Sequence, residues 1–480
     1  MADRVQLVGL DFGSTTSSAV VARTSLRRTA TGRMELDAPE ETYRSEMVFT
    51  PIRADDCIDL DKIKQLLDSW IEEGEVQAEQ LFGGGALLTG LTAQKENAAA
   101  LVGLIRSRLG DALVATADDP CLESWLSFMG SCASLSRQYP EKAILNLDIG
   151  GGTTNLALGC NGQVLRTGCL FLGARHVQVI PGTYTIAKLS VYARKVLAHL
   201  QIGKKPGDDL TKWEIETLLT FSMSILEAIC RGDADPIALT KMKELEQVPF
   251  RMPTEFQDPI VTFSGGVGEL VYRQLHGVPW PTTTQFGDLG IDLAQRIVQA
   301  PIWQNSLRDF RPRSAGRATV YGLLQHSTEV SGSTLFLGAP GILPLSDIPI
   351  LGRLTAHDLD NRIHDVLSLV RRSSRGGCVQ VRIGGIQTAV VRCFGEQISR
   401  ILAELAFPAT LPLVLLVQEN VGKVFGQFVT RWSAIPLQLL VIDEVTLRDA
   451  QYVQIGAPMH QVVPVSFFGL GPEGEMSWSA

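Results

Sequence analysis

The chain has 480 residues, of which 45% are hydrophobic and 20% charged, and this balance is that of an ordinary globular protein with ample core. Its formal net charge of −8 argues against a nucleic-acid partner, which normally requires a basic surface. The most apolar runs, such as residues 411–417, are far shorter than the roughly 20 residues that a membrane-spanning helix needs, so no membrane partner is expected.

Strand-like and helix-like stretches alternate along the chain, which favours an α/β architecture. Residues 5–13 predict a strand that turns through a hairpin into a second strand at 17–26. Residues 59–74 have apolar positions at helical spacing, an acidic start and a glycine stop, and therefore predict a helix. Residues 83–110 predict a strand, a turn and a helix, and residues 142–165 predict another hairpin around a run of glycines.

The pattern changes in the second half of the chain. Residues 182–260 predict a largely helical region, with its longest helical pattern at 212–230. Residues 259–271 predict a strand, a glycine loop and the start of a helix. A stretch rich in proline and glycine follows residue 331, and we place a domain boundary there, between a core of residues 1–330 and a C-terminal α/β region of residues 331–480.

Three glycine-rich loops each follow an apolar strand: DFGSTT at 11–16, LDIGGGTTN at 147–155 and SGGVG at 264–268. Each loop alone is a common kind of turn, but the three in this order are a much more specific indication of a ligand site. Backbone N–H groups in a tight turn can converge on a polyphosphate where no Cβ atom blocks the approach, and hydroxyl groups can add donors. The residues expected to bind a nucleotide are Gly13, Ser14, Thr15, Thr16, Gly150, Gly151, Gly152, Thr153, Ser264, Gly265, Gly266 and Val267.

Two aspartates, Asp11 and Asp148, each end an apolar strand directly before a glycine turn. Phosphates in such sites come with Mg²⁺, which keeps most of its waters and needs few carboxylates. We therefore expect both aspartates to be catalytic and to hold a hydrated Mg²⁺ from opposite sides. No GxxxxGK[ST] loop occurs, and no GxGxxG lies between a strand and a helix, so a P-loop and a dinucleotide site are disfavoured.

Two hairpin loops that clamp phosphates, with a third loop on the adenosine, resemble the actin-like ATPase superfamily over residues 5–330. The resemblance implies an actin-like (ribonuclease H-like) α/β fold of two lobes around a nucleotide cleft, with residues 173–260 mostly in the second lobe or an insertion. Chaperone-like members end the second loop with an acid where this chain has Asn155, so rapid base catalysis at that position is not expected. Glu123 lies where the superfamily often keeps a polar residue that positions water, and we include it as a candidate catalytic residue; the alternative is a solvated helix glutamate.

Five segments, residues 7–20, 145–158, 262–269, 317–337 and 439–470, together resemble the ethanolamine ammonia-lyase reactivating factor family nearly end to end. The resemblance implies a chaperone that uses ATP and Mg²⁺ and binds ethanolamine ammonia-lyase. The implied action is the release of damaged cobalamin so that intact adenosylcobalamin can enter. Our hypothesis is that slow ATP hydrolysis to ADP drives a change of shape that is coupled to this exchange.

The N-terminus shows no secretory signal, and the eight scattered cysteines form no CxxC pair, so a cytoplasmic protein with reduced thiols is expected. Association with a bacterial microcompartment and assembly into a homo-oligomer are left open. Two other functions compete on the same scaffold: a small-molecule kinase and a non-catalytic, actin-like assembly protein.

Overall fold

The computed structural model describes residues 3–29, 34–53, 57–89, 92, 95–110, 114–117, 119–233, 242–256, 258–326, 328–331, 334–339, 341–459 and 462–471. The strands within these ranges form sheets of seven, five, two and eight strands. Across the same ranges, no helix combines the length and the hydropathy that crossing a membrane requires.

The first sheet belongs to the N-terminal lobe and has the order β3-β2-β1-β6-β7, with β4 and β5 also pairing with β2. β1 runs antiparallel to β2 and parallel to β6. Two helices cover one face of the sheet, α1 (Leu60–Glu73) and α2 (Ala98–Leu109). The strands are β1 (Asp3–Phe12), β2 (Thr16–Arg28), β3 (Met34–Leu36), β4 (Glu40–Arg44), β5 (Val48–Phe49), β6 (Leu81–Leu88) and β7 (Val114–Ala117).

The second sheet belongs to the second lobe and has the order β13-β10-β9-β8-β14. Its strands are β8 (Ile144–Ile149), β9 (Thr154–Cys160), β10 (Gln163–Leu170), β13 (Glu246–Val248) and β14 (Ile260–Ser264), and a separate ribbon pairs β11 (Val177–Val179) with β12 (Ile186–Leu189). The helices from this part of the chain are α3 (Pro120–Ser131), α4 (Ala133–Gln138), α5 (Val191–His199), α6 (Lys212–Arg231), α7 (Gly265–Leu275), α8 (Gly290–Gln299), α9 (Gln304–Asp309) and α10 (Ala318–His326).

The two sheets repeat one topology. In each, an antiparallel hairpin (β1–β2 or β8–β9) is followed by a third antiparallel strand, and a later strand (β6 or β14) pairs in parallel on the other side of the first. This repeated order confirms the predicted actin-like (ribonuclease H-like) α/β fold class. The hairpins at the two phosphate loops, the helix at 59–74 and the strand-to-helix step at 259–271 are also confirmed.

The prediction that residues 182–260 are largely helical is wrong in part. Helices α5 and α6 lie there, but so do the strands β12 and β13, and turns occupy much of the remainder. Strands of three or four residues are too short to show a period of two in a single sequence, which explains why they were not predicted. Residues 234–241 fall outside the described part of the chain.

The third sheet takes its strands from Thr328 onward, in the order β15-β22-β21-β17-β18-β19-β20-β16. Strands β17 to β20 are parallel and are connected through α11 (Asp360–Arg372), α12 (Thr388–Glu404) and α13 (Gly422–Val429). The strands are β15 (Thr328–Val330), β16 (Leu335–Leu337), β17 (Leu345–Thr355), β18 (Gly377–Arg382), β19 (Leu413–Val417), β20 (Leu439–Ile442), β21 (Ala450–Ile455) and β22 (Pro464–Leu470).

The third sheet packs against the N-terminal part of the chain. Arg106 of α2 makes a bidentate ion pair with Asp347, with N···O distances of 3.0 and 2.9 Å. The guanidinium of Arg448 lies over the ring of Trp125 in α3, 4.6 Å from its centroid. Whether residues 1–330 and 331–480 act as separate domains therefore stays a prediction, since the sheet that begins at Thr328 shares contacts with both lobes.

Two helices, α3 and α10, cross between the first and second sheets. Apolar side chains of α3 pack with Ile144 and Val164 of the second sheet, while Val320 and Leu324 of α10 pack with the first sheet. A Cβ atom on Gly130 would lie 2.0 Å from the carbonyl oxygen of Ala318. The two backbones thus touch directly where the last turn of α3 meets the first turn of α10, and one turn further along Leu126 meets Gly322, so the two helices run in opposite directions at this contact.

We expect Gly322→Ala to lower the free energy of unfolding by about 2 kcal/mol or more, because its new methyl group would lie 2.2 Å from the carbonyl oxygen of Leu126. Gly103→Ala is the matched control. It also lies inside a helix but has no atom within 4 Å of its added Cβ, so it should leave stability unchanged or raise it by about 0.5–1 kcal/mol. Urea unfolding of both variants tests this, and equal effects would contradict the close crossing of α3 and α10.

Candidate functional site

Two hairpin loops built in the same way face each other at the centre of the molecule. The backbone N–H of Gly13 donates to the carbonyl of Thr16 at 2.9 Å, and that of Gly150 donates to the carbonyl of Thr153 at 2.9 Å. Asp11 lies opposite Ser18 in the first hairpin, and Asp148 lies opposite Asn155 in the second. The two aspartates therefore occupy equivalent positions of the repeated fold.

The three glycine loops meet, although they are far apart in the sequence. A Cβ atom on Gly151 would lie 2.4 Å from Thr15 Oγ1, so the second loop touches the first. Gly265 has a φ of +75°, and a Cβ atom there would lie 2.4 Å from Asp148 Oδ1, so the third loop touches the second. Glycine is required at both places because any side chain would separate the loops.

The loops line a solvent-open cleft whose empty volume is about 1180 Å³. Most residues predicted to bind a ligand face this cleft, as do all three candidate catalytic carboxyl groups. Those that line it are Asp11, Gly13, Ser14, Thr15, Thr16, Glu123, Asp148, Gly150, Gly151, Gly152, Thr153, Gly265, Gly266 and Val267.

Ser264 was predicted to contact the ligand, and the structure places it elsewhere. Its side chain is fully buried and does not line the cleft. Its hydroxyl accepts a hydrogen bond from Asn146 Nδ2 at 2.8 Å and bonds to the carboxylate of Asp148. Because Ser264 pairs with Asp148 across the parallel strands β14 and β8, it supports that carboxylate from behind.

Asp11, Asp148 and Glu123 bring three carboxyl groups together at the base of the cleft. Burial, and next the charge of Asp148, raise the pKa of Asp11 to about 7, although the hydroxyl of Thr89 opposes the rise. Burial raises the pKa of Asp148 to about 6 against hydrogen bonds from Ser264 and Thr319. Burial, then the charges of Asp148 and Asp11, raise the pKa of Glu123 well above its ordinary value.

Helix α3 carries Glu123 into the cleft on its first turn. Asp119 caps this helix by accepting a hydrogen bond from the backbone N–H of Leu122 at 3.1 Å, and Pro120 occupies the first position. The side chain of Asn155 hydrogen-bonds the Glu123 carboxylate, while Asn155 Oδ1 is buried and has no partner. Glu123 therefore faces the cleft and the second loop, unlike a solvated helix glutamate.

Sequence reasoning missed the cleft residues that come from segments without a glycine motif. Thr89 directly follows β6, at the sheet edge where Asp11 also lies, and this position is the signal that could have found it. Arg317 and Thr319 sit at the start of α10, where no local pattern marks them. The further lining residues are Met47, Ala174, Glu269, Leu270, Arg273, Phe286, Asp288, Gly290, Gly316 and Ala318.

The carboxylates of the cleft suit a cation that is bound through its own water molecules better than one that is coordinated directly by side chains. Among the residues that the structure describes, no group of three or more His, Cys, Asp or Glu side chains is arranged to hold a metal ion directly. Asp11 and Asp148 nevertheless lie in one cleft with raised pKa values, which is the condition that a nearby divalent cation would relieve. A magnesium ion that keeps most of its waters fits this arrangement.

Asp11→Asn should stabilise the metal-free, nucleotide-free protein at pH 8 by about 1–3 kcal/mol. The folded state holds the Asp11 proton more tightly than the unfolded chain does, so the favourable contribution is complete below pH 3.8 and is lost as the pH rises through about 7. The difference in unfolding free energy between Asp11→Asn and the wild type should therefore vanish towards pH 4.

Chemical unfolding in EDTA across this pH range measures the effect. Asp365→Asn, at a carboxyl that is 77% exposed on α11, is the control and should match the wild type throughout. An Asp11→Asn protein with no added stability at pH 8 would show that the three carboxyl groups do not destabilise the empty site.

Comparison with known proteins places the chain in a family. The family model described as "Ethanolamine utilisation protein EutA" matches residues 3–470. Two curated relatives named ethanolamine ammonia-lyase reactivase EutA, from Escherichia coli (strain K12) and Salmonella typhimurium (strain LT2), are each 28% identical to this chain over 96% of its length and 97% of their own.

Among solved structures, an exopolyphosphatase-like protein aligns at 16% identity with a TM-score of 0.40, covering 67% of this chain and 97% of its own. A TM-score of 0.40 is too low to support an inference about function. The family model, in contrast, spans nearly the whole chain, and this protein therefore belongs to the ethanolamine utilisation protein EutA family.

Proposed function

We propose that this protein is an ATP-dependent reactivating chaperone for ethanolamine ammonia-lyase. It binds ATP with Mg²⁺, hydrolyses the ATP slowly, and uses the change of shape to release damaged cobalamin so that intact adenosylcobalamin can bind. The observation that carries the proposal is the meeting of three glycine loops around three carboxyl groups in one cleft. The client is proposed because the relatives that align over 96% of the chain are named as reactivases of that enzyme.

The two hairpin loops would hold the phosphates of the nucleotide. The N–H groups of Gly13 and Gly150 close the two hairpins, so the phosphates would be held by other backbone N–H groups of the loops, and Ser14, Thr15, Thr16 and Thr153 would add hydroxyl donors. The loops come from different lobes, so a polyphosphate bound between them would draw the lobes together. The third loop begins α7, and the same helix presents Arg273 to the cleft, where Phe286 also lies. These planar side chains suit a base at that end.

Asp11 and Asp148 would hold Mg²⁺ through its waters, and the ion would supply charge neutralisation for the phosphates and for the two carboxylates. The hydrogen bonds from Thr89 to Asp11, at 3.3 Å, and from Thr319 to Asp148, at 3.4 Å, orient these carboxylates. The supports come from both lobes and from α10, so the carboxylates are held in place before any ligand binds.

Glu123 would position the attacking water and accept its proton. The water oxygen forms a bond to the terminal phosphorus, the bond from that phosphorus to the bridging oxygen of ADP breaks, and the proton of the water passes to the Glu123 carboxylate. When ionised, Glu123 would be a stronger proton acceptor than an ordinary glutamate, because its pKa is raised. Asn155 holds Glu123 but cannot take a proton itself, which agrees with slow turnover.

The third sheet would carry the change of shape to the client. Asp119, the cap of α3, also accepts a hydrogen bond from the backbone N–H of Gly469 in β22 at 2.5 Å. Arg448 stacks on Trp125 of the same helix and pairs with Glu329 at 2.6 Å. Helix α3 thus connects the base of the cleft to the third sheet. A displacement of Glu123 would move this helix and its contacts with the third sheet. Such a protein would act beside its client in the cytoplasm or inside a microcompartment.

Glu123→Gln should lower the rate of ATP hydrolysis by about 10²-fold while leaving the affinity for ADP within about threefold. The amide keeps the size of the side chain and can still bond Asn155, but it cannot accept a proton. Single-turnover hydrolysis and calorimetric titration with ADP and Mg²⁺ measure the two quantities. An unchanged hydrolysis rate in the folded variant would remove Glu123 from the reaction.

The reactivating role is tested directly with the client. Ethanolamine ammonia-lyase that has been blocked with cyanocobalamin is incubated with this protein, ATP, Mg²⁺ and fresh adenosylcobalamin, and recovery of lyase activity is expected. Recovery should fail without ATP and should fail with the Asp148→Ala protein. Full recovery by that variant would contradict the proposal. ATP turnover that requires an added metabolite would point to a kinase, and nucleotide-dependent filaments without cobalamin exchange would point to an assembly protein.

A further inference from the structure

Arg317 is a buried cation with open hydrogen-bonding capacity in the wall of the cleft. It lies directly before α10, is only 8% exposed, and lines the cleft beside Gly316 and Thr319. Its Nη2 donates to the carbonyl oxygen of Ser45 at 2.6 Å, whereas its Nε and Nη1 are buried and have no hydrogen-bond partner. None of the glycine motifs accounts for this residue.

Burying a guanidinium without hydrogen-bond partners costs folding free energy. Buried polar groups in folded proteins nearly always have partners, and a buried charge needs a counter-charge to offset the loss of water. Burial, and next the like charge of Arg44, lower the pKa of Arg317, although Tyr321, Glu269 and Glu41 oppose this. Glu41 already accepts a hydrogen bond from the hydroxyl of Tyr321, so it is engaged elsewhere.

Glu269 is the acid of the second lobe that faces Arg317, and it forms no hydrogen bond with the open nitrogens. Its carboxylate lies against the backbone, since a Cβ atom on Gly316 would be 2.4 Å from Glu269 Oε2. The guanidinium of Arg317 therefore attracts an anion, but neither Glu41 nor Glu269 binds its open nitrogens. The open N–H groups indicate a ligand with negatively charged oxygens.

The position of Arg317 indicates which anion this is. Ser45, its partner, is anchored to Ala19 by a backbone hydrogen bond of 2.9 Å, and the chain that follows pairs with Ser17 and Thr16 at the end of the first phosphate loop. On the other side, Thr319 bonds Asp148 at 3.4 Å. Arg317 thus sits between the supports of the first and second phosphate loops, where the outermost phosphate of a bound nucleotide would lie.

We propose that Arg317 binds the terminal phosphate of a nucleoside triphosphate through its Nε and Nη1 groups while Nη2 stays on Ser45. This inference rests on the proposed function, since it requires a nucleotide in the cleft. Arg317 would then distinguish the triphosphate from the diphosphate, because loss of the terminal phosphate returns the guanidinium to its unpaired state. It would also connect that phosphate to the segment around Ser45 in the first lobe.

The test compares two nucleotides in one folded variant. Arg317→Gln should weaken binding of a non-hydrolysable ATP analogue in the presence of Mg²⁺ by about 10- to 100-fold, the usual effect of losing charge-assisted hydrogen bonds to phosphate, and should weaken ADP binding by less than about threefold. Isothermal titration calorimetry measures both affinities. Arg313→Gln removes an exposed arginine from the same segment and should change neither.

Arg317→Lys keeps the charge but cannot hold Ser45 and a phosphate together, so it should show a smaller loss that is again selective for the triphosphate. Circular dichroism and thermal unfolding show whether each variant is folded. If Arg317→Gln is not folded, the same comparison of the two nucleotides is made with Arg317→Lys. Equal loss for both nucleotides, or no loss, in a folded variant would overturn the role of Arg317 alone. A wild-type protein that binds no adenine nucleotide would instead overturn the proposed function.

Discussion

Three carboxyl groups forced together in one cleft are the constraint on which the rest of this structure depends. Asp11 and Asp148 reach the cleft because each ends the first strand of a hairpin, and Glu123 joins them from the first turn of α3. Burial raises the pKa values of all three groups, and the charges of neighbouring carboxylates raise those of Asp11 and Glu123 further. Three ionised carboxylates at this place are therefore unfavourable on their own, and a divalent cation would relieve this cost, which is why we propose a ligand that binds with Mg²⁺.

The crossing of α3 and α10 makes this arrangement rigid. Each helix packs on a different sheet, and the close contact at Gly130 and Gly322 leaves no room for a side chain between the two helices. Both helices contribute side chains to the cleft, α3 through Glu123 and α10 through Thr319 beside Arg317. Glu123 and Arg317 thus lie on, or next to, two helices that are in direct backbone contact. The hydrogen bond from Gly469 to Asp119 extends the same connection to the third sheet.

The sequence predicted those parts of the site in which local chemistry determines position. A buried strand that ends in aspartate, glycine and hydroxyl residues can form few structures other than a tight polar hairpin, and both such hairpins were found as expected. The position of Ser264 behind Asp148 could not be predicted, because their register depends on the pairing of two strands more than a hundred residues apart. Arg317 carries no local pattern at all, since its neighbours Ser45 and Glu269 are brought near it only by tertiary packing. The short strands β12 and β13 were missed for the related reason that their pairing partners, and not their own composition, define them.

The most direct measurement is the number of protons released when the nucleotide complex of Mg²⁺ binds. Calorimetric titration of ADP with saturating Mg²⁺ at pH 7, in buffers of different ionisation enthalpy, gives that number. Crowded carboxyl groups that share protons in the empty site should release a substantial fraction of a proton on binding, and the release should diminish by pH 9 and in the Asp11→Asn protein. Binding that is independent of Mg²⁺ and exchanges no protons would contradict the claim that a cation neutralises this cluster.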